Sequence, residues 1–363
     1  MNTLSIIVST GGTGGHIFPA LAVADEIKKQ YPNAHVLFVG SLYGKEKDLC
    51  QKNGLDFYGL NVRGIKGRGF KAISALFAML KAILESYRFL GRHQTDAVIG
   101  FGGYACFAVL AAAKLRRIPT MIHEQNAVAG LANTILAKFV NTVCLSLPDT
   151  KKQFNPKKCV LTGNPIRHDI ANVVKEKKEY TELLIMGGSL GAVAINSVAV
   201  QLLSILRDNR IQSIHQCGEK DYPRMVEAYK SHGYSKEEID TMLFPFIDNM
   251  AEVYAKADFA LCRAGATSIA ELTATKTPAL FIPFPYAAGD HQTANAQTIV
   301  HHHGGMMIQE SEIKKYPMDE IILSILQNKK ELVEMAENIG KLAQKDAAGK
   351  VVRELDKLIQ KQR

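Results

Sequence analysis

Short apolar runs alternate with stretches whose apolar residues recur every three to four positions, and the alternation persists through most of the chain. Residues 4–10 (LSIIVST), 35–40 (HVLFVG), 97–102 (AVIGFG), 119–123, 142–146 and 158–163 read as buried strands. A second set follows at 183–187, 214–218, 243–247, 259–262, 278–283 and 306–309. Helical patterning fills the intervals, as over 17–31, 105–115, 127–139, 192–207 and 267–275, and continues from 320 to the end. Strand, helix and strand in repeated succession make neighbouring strands parallel, because each crossover returns the chain to the same end of its sheet. The predicted class is therefore α/β, with two doubly wound parallel-sheet domains facing across a cleft. Gly163-Asn164-Pro165-Ile166-Arg167 is a turn where one fold hands over to the next. The expected domains are 1–163 with a returning C-terminal helix, 341–363, and 164–340.

Bulk properties narrow the class. A chain of 363 residues, 47% hydrophobic and 22% charged, is long enough for two cores. No apolar run reaches the ~18 residues needed to span a bilayer, and no basic leader precedes the first strand, so the protein is expected to stay in the cytoplasm. Six scattered cysteines without a Cys-x-x-Cys pair read as buried free thiols. The net charge of +9 is uneven: residues 1–163 carry 20 basic against 9 acidic side chains, the remainder 24 against 26. An asymmetry of this kind turns the first half toward a polyanion. Aromatic residues do not interleave with the basic ones, which disfavours nucleic acid. Residues 63–93 concentrate the charge, with seven Lys or Arg against Glu85 alone, while Ile73, Leu76, Phe77, Leu80, Ile83 and Leu84 recur at helical spacing. A basic rim around an amphipathic helix suits docking on an anionic membrane surface; a core helix with a solvated flank reads equally well.

Four glycine turns follow predicted strands. Gly11-Gly12-Thr13-Gly14-Gly15-His16 is neither a dinucleotide fingerprint nor a P-loop, yet it exposes backbone N–H groups at a helix start, where an anion is favoured. Gly100-Phe101-Gly102-Gly103-Tyr104 and Gly187-Gly188-Ser189-Leu190-Gly191 repeat the arrangement, and Arg263-Ala264-Gly265-Ala266-Thr267 opens another helix. Glu271 lies one helical turn beyond Thr267 on the same face, placed to accept from a pair of sugar hydroxyls. Phosphate donors beside a diol acceptor point to a nucleotide. Asp290 reads as an N-cap leading to His291 and Gln292. No Asp-x-Asp is present to hold a diphosphate through a divalent ion, so the cation and dipole fall to Arg167, the Ser189 turn and the helix start at 263–267. His301-His302-His303 reads as a solvated helix end.

GGTGGH at 11–16, FGGY at 101–104, HEQN at 123–126, GNPIR at 163–167, GGSLGA at 187–192, FIDNM at 246–250, CRAGATSIAE at 262–271 and DHQTANA at 290–296 resemble, in order and spacing, the MurG family. These are the lipid-II-forming N-acetylglucosaminyltransferases of bacterial peptidoglycan synthesis. The resemblance covers nearly the whole chain. It implies a GT-B fold of two Rossmann-like domains, with UDP-N-acetylglucosamine held mainly by the second. It further implies inverting transfer of the sugar to the C4 hydroxyl of N-acetylmuramoyl-pentapeptide on undecaprenyl diphosphate, at the cytoplasmic face of the inner membrane, by a peripheral protein. On that basis Thr13, Gly14, Gly15, Asn126, Arg167, Ser189, Ile247, Ala266, Thr267, Ser268, Ile269, Ala270, Glu271 and Gln292 meet the donor, Ile247 through its backbone to uracil. His291 stands where some members have Gln. His16 is the expected base and Glu124 the alternative. Gly12, Gly14, Gly102, Gly103 and Tyr104 are expected at the acceptor diphosphate, and Lys66, Arg68, Lys71, Ile73, Phe77, Leu80, Lys81 and Arg88 at the membrane. No cofactor is required, and a divalent ion acts only as a non-specific stimulant. A UDP-N-acetylglucosamine 2-epimerase, a glycosyltransferase with a soluble acceptor and a non-catalytic UDP-sugar sensor are the alternatives; the first two have no use for residues 63–92.

Overall fold

Ile6 and Val8 face one side of the first strand and Ile7 the other, and this period of two sorts the side chains of the amino-terminal sheet into two cores. The computed structural model describes residues 4–11, 14–44, 46–62, 72–148 and 152–362, with the backbone alone over 72–76. Its strands are β1 (Ser5–Ser9), β2 (His35–Ser41), β3 (Asp56–Leu60), β4 (Ala97–Gly100), β5 (Thr120–Glu124), β6 (Thr142–Leu145) and β7 (Cys159–Leu161). They lie parallel in the order β3-β2-β1-β4-β5-β6-β7. Ile6, Val8, Phe38 and Ile99 meet the helix Gly14–Gln30, whereas Ile7, Leu37, Val39 and Val98 meet the helices Ala72–Arg92 and Tyr104–Leu115. Helices on both faces explain why strand centres such as Ile6-Ile7-Val8 are apolar at successive positions instead of alternating.

Met1–Arg167 and Asp346–Arg363 form one compact unit and His168–Lys345 another. The helix Ala347–Gln360 belongs to the first unit. Its Val351, Val352, Leu355 and Ile359 enter the core of Gly14–Gln30, and Tyr31 donates to Asp356 Oδ2 at 2.8 Å. The second unit carries β8 (Glu182–Met186), β9 (Gln212–Gln216), β10 (Leu243–Phe244), β11 (Phe259–Cys262), β12 (Ala279–Phe281) and β13 (Gly305–Met307), parallel in the order β10-β9-β8-β11-β12-β13. Leu183, Ile185, Leu261 and Leu280 pack on the helices Val193–Asp208, Met318–Gln327 and Lys329–Gly340. Each such side chain, fully buried, contributes about 1.5–3 kcal/mol.

The helix Ala72–Arg92 divides its faces plainly. Met79, Ala82, Ser86 and Leu90 are buried, while Phe77, Leu80 and Leu84 are 68%, 49% and 59% exposed. Lys81 and Arg88 stand among these outward residues. Among the described residues no helix is long and apolar enough to cross a membrane.

Several expected boundaries shift for local reasons. The strand expected over 243–247 stops at Phe244, because Pro245 has no N–H for the ladder. The helix expected over 127–139 is α-helical only over Leu131–Leu136, since the preceding residues wrap around a buried carboxylate. The helix Glu46–Lys52 and the edge strand β3 carry too little periodicity to be foreseen.

Candidate active site

In both sheets the strand order reverses once, between β1 and β4 and between β8 and β11. Ligands of open parallel sheets bind at such reversals, outside the carboxyl ends of the strands. The four glycine turns follow these four strands.

At the first reversal the turns meet backbone to backbone. A Cβ on Gly103 would stand 2.3 Å from the Gly11 carbonyl oxygen, and Gly102 and Gly103 adopt φ of 103° and 91°, so both requirements select glycine. His16 sits between the turns. Its Nδ1 donates to the Gly11 carbonyl at 3.2 Å, and Gly102 lies so close that an added Cβ would be 3.2 Å from Nε2. With Nδ1–H donating to that carbonyl, Nε2 is the nitrogen that carries the lone pair in a neutral ring. Gly14 and Gly15 open the helix that carries His16. Tyr104 begins a twelve-residue helix whose N-cap, Gly103, supplies no side-chain cap, so its first N–H groups are available to an anion. Gly12, Thr13, Lys66, Arg68 and Lys71 lie outside the described residues, as does the side chain of Ile73.

The alternative base is placed differently. Glu124, 2% exposed at the end of β5, accepts from the N–H of Asn126 at 3.0 Å, the N–H of Gly130 at 3.1 Å and Asn133 Nδ2 at 2.9 Å. Both oxygens are engaged in ordering the turn that bears Asn126. Beside it His123 donates from Nε2 to the Gly163 carbonyl at 2.9 Å and accepts from Gln125 at Nδ1, and burial pushes its imidazole down to about 4. This contact anchors the start of the 163–167 segment, which ends at the exposed Arg167.

The second unit gathers Ser189, Ile247, the 266–271 helix start and Gln292 at the carboxyl ends of β8, β10, β11 and β12. Gly188 and Gly191 take φ of 84° and 73°, and a Cβ on Gly191 would overlap the Cys217 carbonyl at 1.9 Å, so the turn leans on the exit of β9. Ser189 is exposed at its tip. Gln216, at the end of β9 and 5% exposed, donates to the Gly188 carbonyl at 3.0 Å and accepts from the N–H of Ile247 at 2.9 Å. The N–H of Ile247 is thus taken within the protein, which narrows backbone recognition at that residue to its carbonyl.

The helix Ala266–Ala274 starts at Gly265 without a side-chain cap, and the buried hydroxyl of Thr267 has no protein partner. Glu271, one turn on, accepts at 2.9 Å from the hydroxyl of the fully buried Tyr254. Ser268 and Ala270 are partly exposed on this helix, whereas Ile269 is directed into the core and its N–H is spent on the Gly265 carbonyl at 2.9 Å. Gln292 accepts from the N–H of Phe284 at 3.0 Å, and His291 is bonded to the Ala288 carbonyl at 2.9 Å. Asp290 is no side-chain cap: its backbone is left-handed and its carboxylate accepts from Thr293 Oγ1 at 2.7 Å. Arg263 also departs from expectation, its guanidinium turned to the Ile282 and Pro283 carbonyls rather than along the helix start. Gln216, Tyr254 and Arg263 each organise a neighbouring loop or side chain; of the three, only Arg263, a charged residue directly after the apolar strand β11, left a cue in the sequence.

Two Rossmann-like parallel-sheet units with paired turns at their reversals are the GT-B fold, and the family matches make the chain a glycosyltransferase of that fold. The Glycosyltransferase family 28 N-terminal domain matches residues 6–145, and the Glycosyltransferase family 28 C-terminal domain matches 182–351. The UDP-N-acetylglucosamine–N-acetylmuramyl-(pentapeptide) pyrophosphoryl-undecaprenol N-acetylglucosamine transferase of Nitratidesulfovibrio vulgaris (strain Hildenborough) is 45% identical over 359 residues, covering 98% of this chain and 97% of the relative. That of Lawsonia intracellularis is 46% identical over 361 residues, with 98% and 97% covered. Acinetobacter baumannii MurG, a crystal structure, is 31% identical with a TM-score of 0.79, covering 98% of this chain and 99% of that one. The chain belongs to glycosyltransferase family 28, among the N-acetylglucosamine transferases that these relatives represent.

Proposed function

We propose that this chain transfers N-acetylglucosamine from UDP-N-acetylglucosamine, with inversion, to the C4 hydroxyl of N-acetylmuramoyl-pentapeptide on undecaprenyl diphosphate, turning lipid I into lipid II for peptidoglycan synthesis. The observation that carries the reading is the helix Ala266–Ala274. Its uncapped N-terminus and the unpartnered Thr267 hydroxyl suit a phosphate, and one turn away Glu271, oriented by Tyr254, suits a ribose diol. A nucleoside diphosphate fits that spacing. The Ser189 turn and Arg167 serve the diphosphate, the Ile247 carbonyl serves the uracil imide, and Asn126 and Gln292 serve the sugar.

The reaction is a direct displacement at the anomeric carbon. As the acceptor oxygen bonds to that carbon, Nε2 of His16 takes its proton, and UDP leaves with its charge met by backbone amides and a guanidinium. Glu124 acts by holding Asn126 in place. Gly102, Gly103 and Tyr104 offer N–H groups to the acceptor diphosphate. No resident metal is needed in this scheme, and a divalent ion adds at most non-specific stimulation. The outward residues Phe77, Leu80, Lys81, Leu84 and Arg88 support peripheral docking on the anionic cytoplasmic face of the inner membrane. Roles in cell shape and division follow from the product.

The test is UDP release from purified protein given UDP-N-acetylglucosamine with and without a lipid I analogue. Release dependent on the lipid-linked acceptor is expected. Donor binding without release, or release indifferent to the acceptor, contradicts the assignment.

A further inference from the structure

We propose that Arg263 and Glu310 are positioning residues that set the donor-sugar side of the pocket through Gln292, an inference that rests on reading the second unit as the UDP-N-acetylglucosamine site. Arg263 follows β11 directly, where a free guanidinium would be a natural diphosphate ligand. The structure commits it elsewhere. One terminal nitrogen donates to the carbonyls of Ile282 and Pro283, both at 3.0 Å, and the other lies 2.5 Å from a carboxylate oxygen of Glu310 as an ion pair. The guanidinium carbon also stands 5.5 Å from the centre of the Phe284 ring. The two charged side chains are 11% and 29% exposed, so the pair is shielded from solvent and salt.

These contacts join the exits of three adjacent strands, β11, β12 and β13, at one guanidinium. The segment held in this way is the neck of the 283–290 loop. At its far end the chain passes through Gly289 and Asp290, both left-handed with φ of 63° and 54°, and delivers Gln292 on the first turn of the next helix. The Gln292 carbonyl then returns to the N–H of Phe284 at 3.0 Å. The loop is therefore closed at its base by Arg263 on one side and Gln292 on the other. With its carbonyl fixed, Gln292 has its amide NH2 left for a sugar hydroxyl. Loss of the clamp frees Phe284, and with it the anchor that orients Gln292. Lysine cannot replace this arginine, because one ammonium does not span two carbonyls, a carboxylate and a ring face in a fixed fork.

The test compares the affinities of the full chain for UDP and for UDP-N-acetylglucosamine, by calorimetry, in the native protein, Arg263→Lys and Glu310→Gln. Both variants are expected to bind the sugar nucleotide about tenfold more weakly, the scale of one lost hydrogen bond, and to bind UDP within about twofold of the native value. The donor KM should rise by more than kcat falls. Equal weakening of UDP and the sugar nucleotide would place Arg263 on the diphosphate and overturn the proposal. Unchanged affinity for both overturns it as well, leaving the clamp purely structural. Should Arg263→Lys not fold, Glu310→Gln carries the comparison, since it keeps the side-chain shape. A native protein that binds neither ligand refutes the donor reading itself, a result separate from either variant outcome.

Discussion

At the first strand reversal the turns after β1 and β4 touch directly, Gly103 against Gly11, with His16 lodged beside them. At the second, the turn after β8 leans on the exit of β9 instead, and side chains tie the surrounding loops together: Gln216 to Gly188 and Ile247, Tyr254 to Glu271, Arg263 to Pro283, Gln292 to Phe284. Among the described residues, the first reversal itself is built from backbone and the His16 imidazole, and its side-chain ties, Gln125 to Phe101 and Glu124 to Asn126 and Gly130, gather at the exit of β5; the second is cross-linked by side chains around the reversal itself. Backbone amides read a diphosphate, whatever sugar it bears. A tethered side-chain set is preorganised for one ligand, and its ordering entropy is met during folding. On the proposed function, selectivity falls to the second edge and proton transfer to the first.

The largest effect that sharpens this contrast is at His16. His16→Ala should lower kcat by about 10²–10⁴-fold while UDP-N-acetylglucosamine affinity stays within about twofold. Unchanged turnover in steady-state kinetics rejects the imidazole as the base.

Two carboxylates form the next test. Glu271→Ala should weaken UDP binding about 10–100-fold, as the loss of charge-assisted hydrogen bonds implies. Glu124→Ala should instead cost about 2–3 kcal/mol of stability by stripping the acceptor from buried donors, and in the protein that remains folded should weaken the sugar nucleotide, through Asn126, while UDP affinity is little changed. If thermal unfolding is unaltered and nucleotide binding is lost in Glu124→Ala, the division of labour fails.

Each unit also buries a neutral histidine, and the two respond to acid alike. Burial lowers His123 to about 4 and His215 to about 3, below the ordinary 6.5 of the unfolded chain. Between those values the unfolded chain takes up protons that the fold excludes, so stability falls as pH drops below 6.5. By pH 5 each histidine removes about 2 kcal/mol. Urea midpoints at pH 7 and pH 5 measure this, and a flat profile contradicts the burial argument.

The smallest effect concerns the outward face of Ala72–Arg92. Replacing Phe77 and Leu84 with serine should cut sedimentation with anionic vesicles about tenfold, given roughly 0.7 kcal/mol for each partly inserted apolar side chain, a fraction of its full burial, and leave turnover on a detergent-solubilised acceptor intact. Equal sedimentation of variant and native protein removes this face from any membrane contact.

The scaffold was legible where burial leaves a periodic trace. The runs Ile6–Val8, Leu183–Met186 and Phe259–Cys262 are apolar throughout because helices cover both faces, and the glycine turns mark contacts that only a residue without Cβ permits. The edge strand β3 left little trace, since its Asp56 is exposed and Phe57, Tyr58 and Gly59 are only partly buried, so no apolar run or alternation marks it. Partners are harder to read than burial. A long side chain such as Arg263 reaches several atoms that the folded chain brings near, and its sequence position beside a helix start does not reveal that Ile282, Pro283 and Glu310 will claim it. Gln216 was missed for the same reason, as a polar residue whose role depends on two loops remote in sequence.

The central claim, that the nucleotide belongs to the second edge, is tested most directly by amide hydrogen exchange with and without saturating UDP. The account predicts slowed exchange at 187–191, 244–250 and 263–271, with residues 14–16 and 101–104 unaffected. Slowing confined to 14–16 and 101–104, with the second unit unchanged, would contradict it.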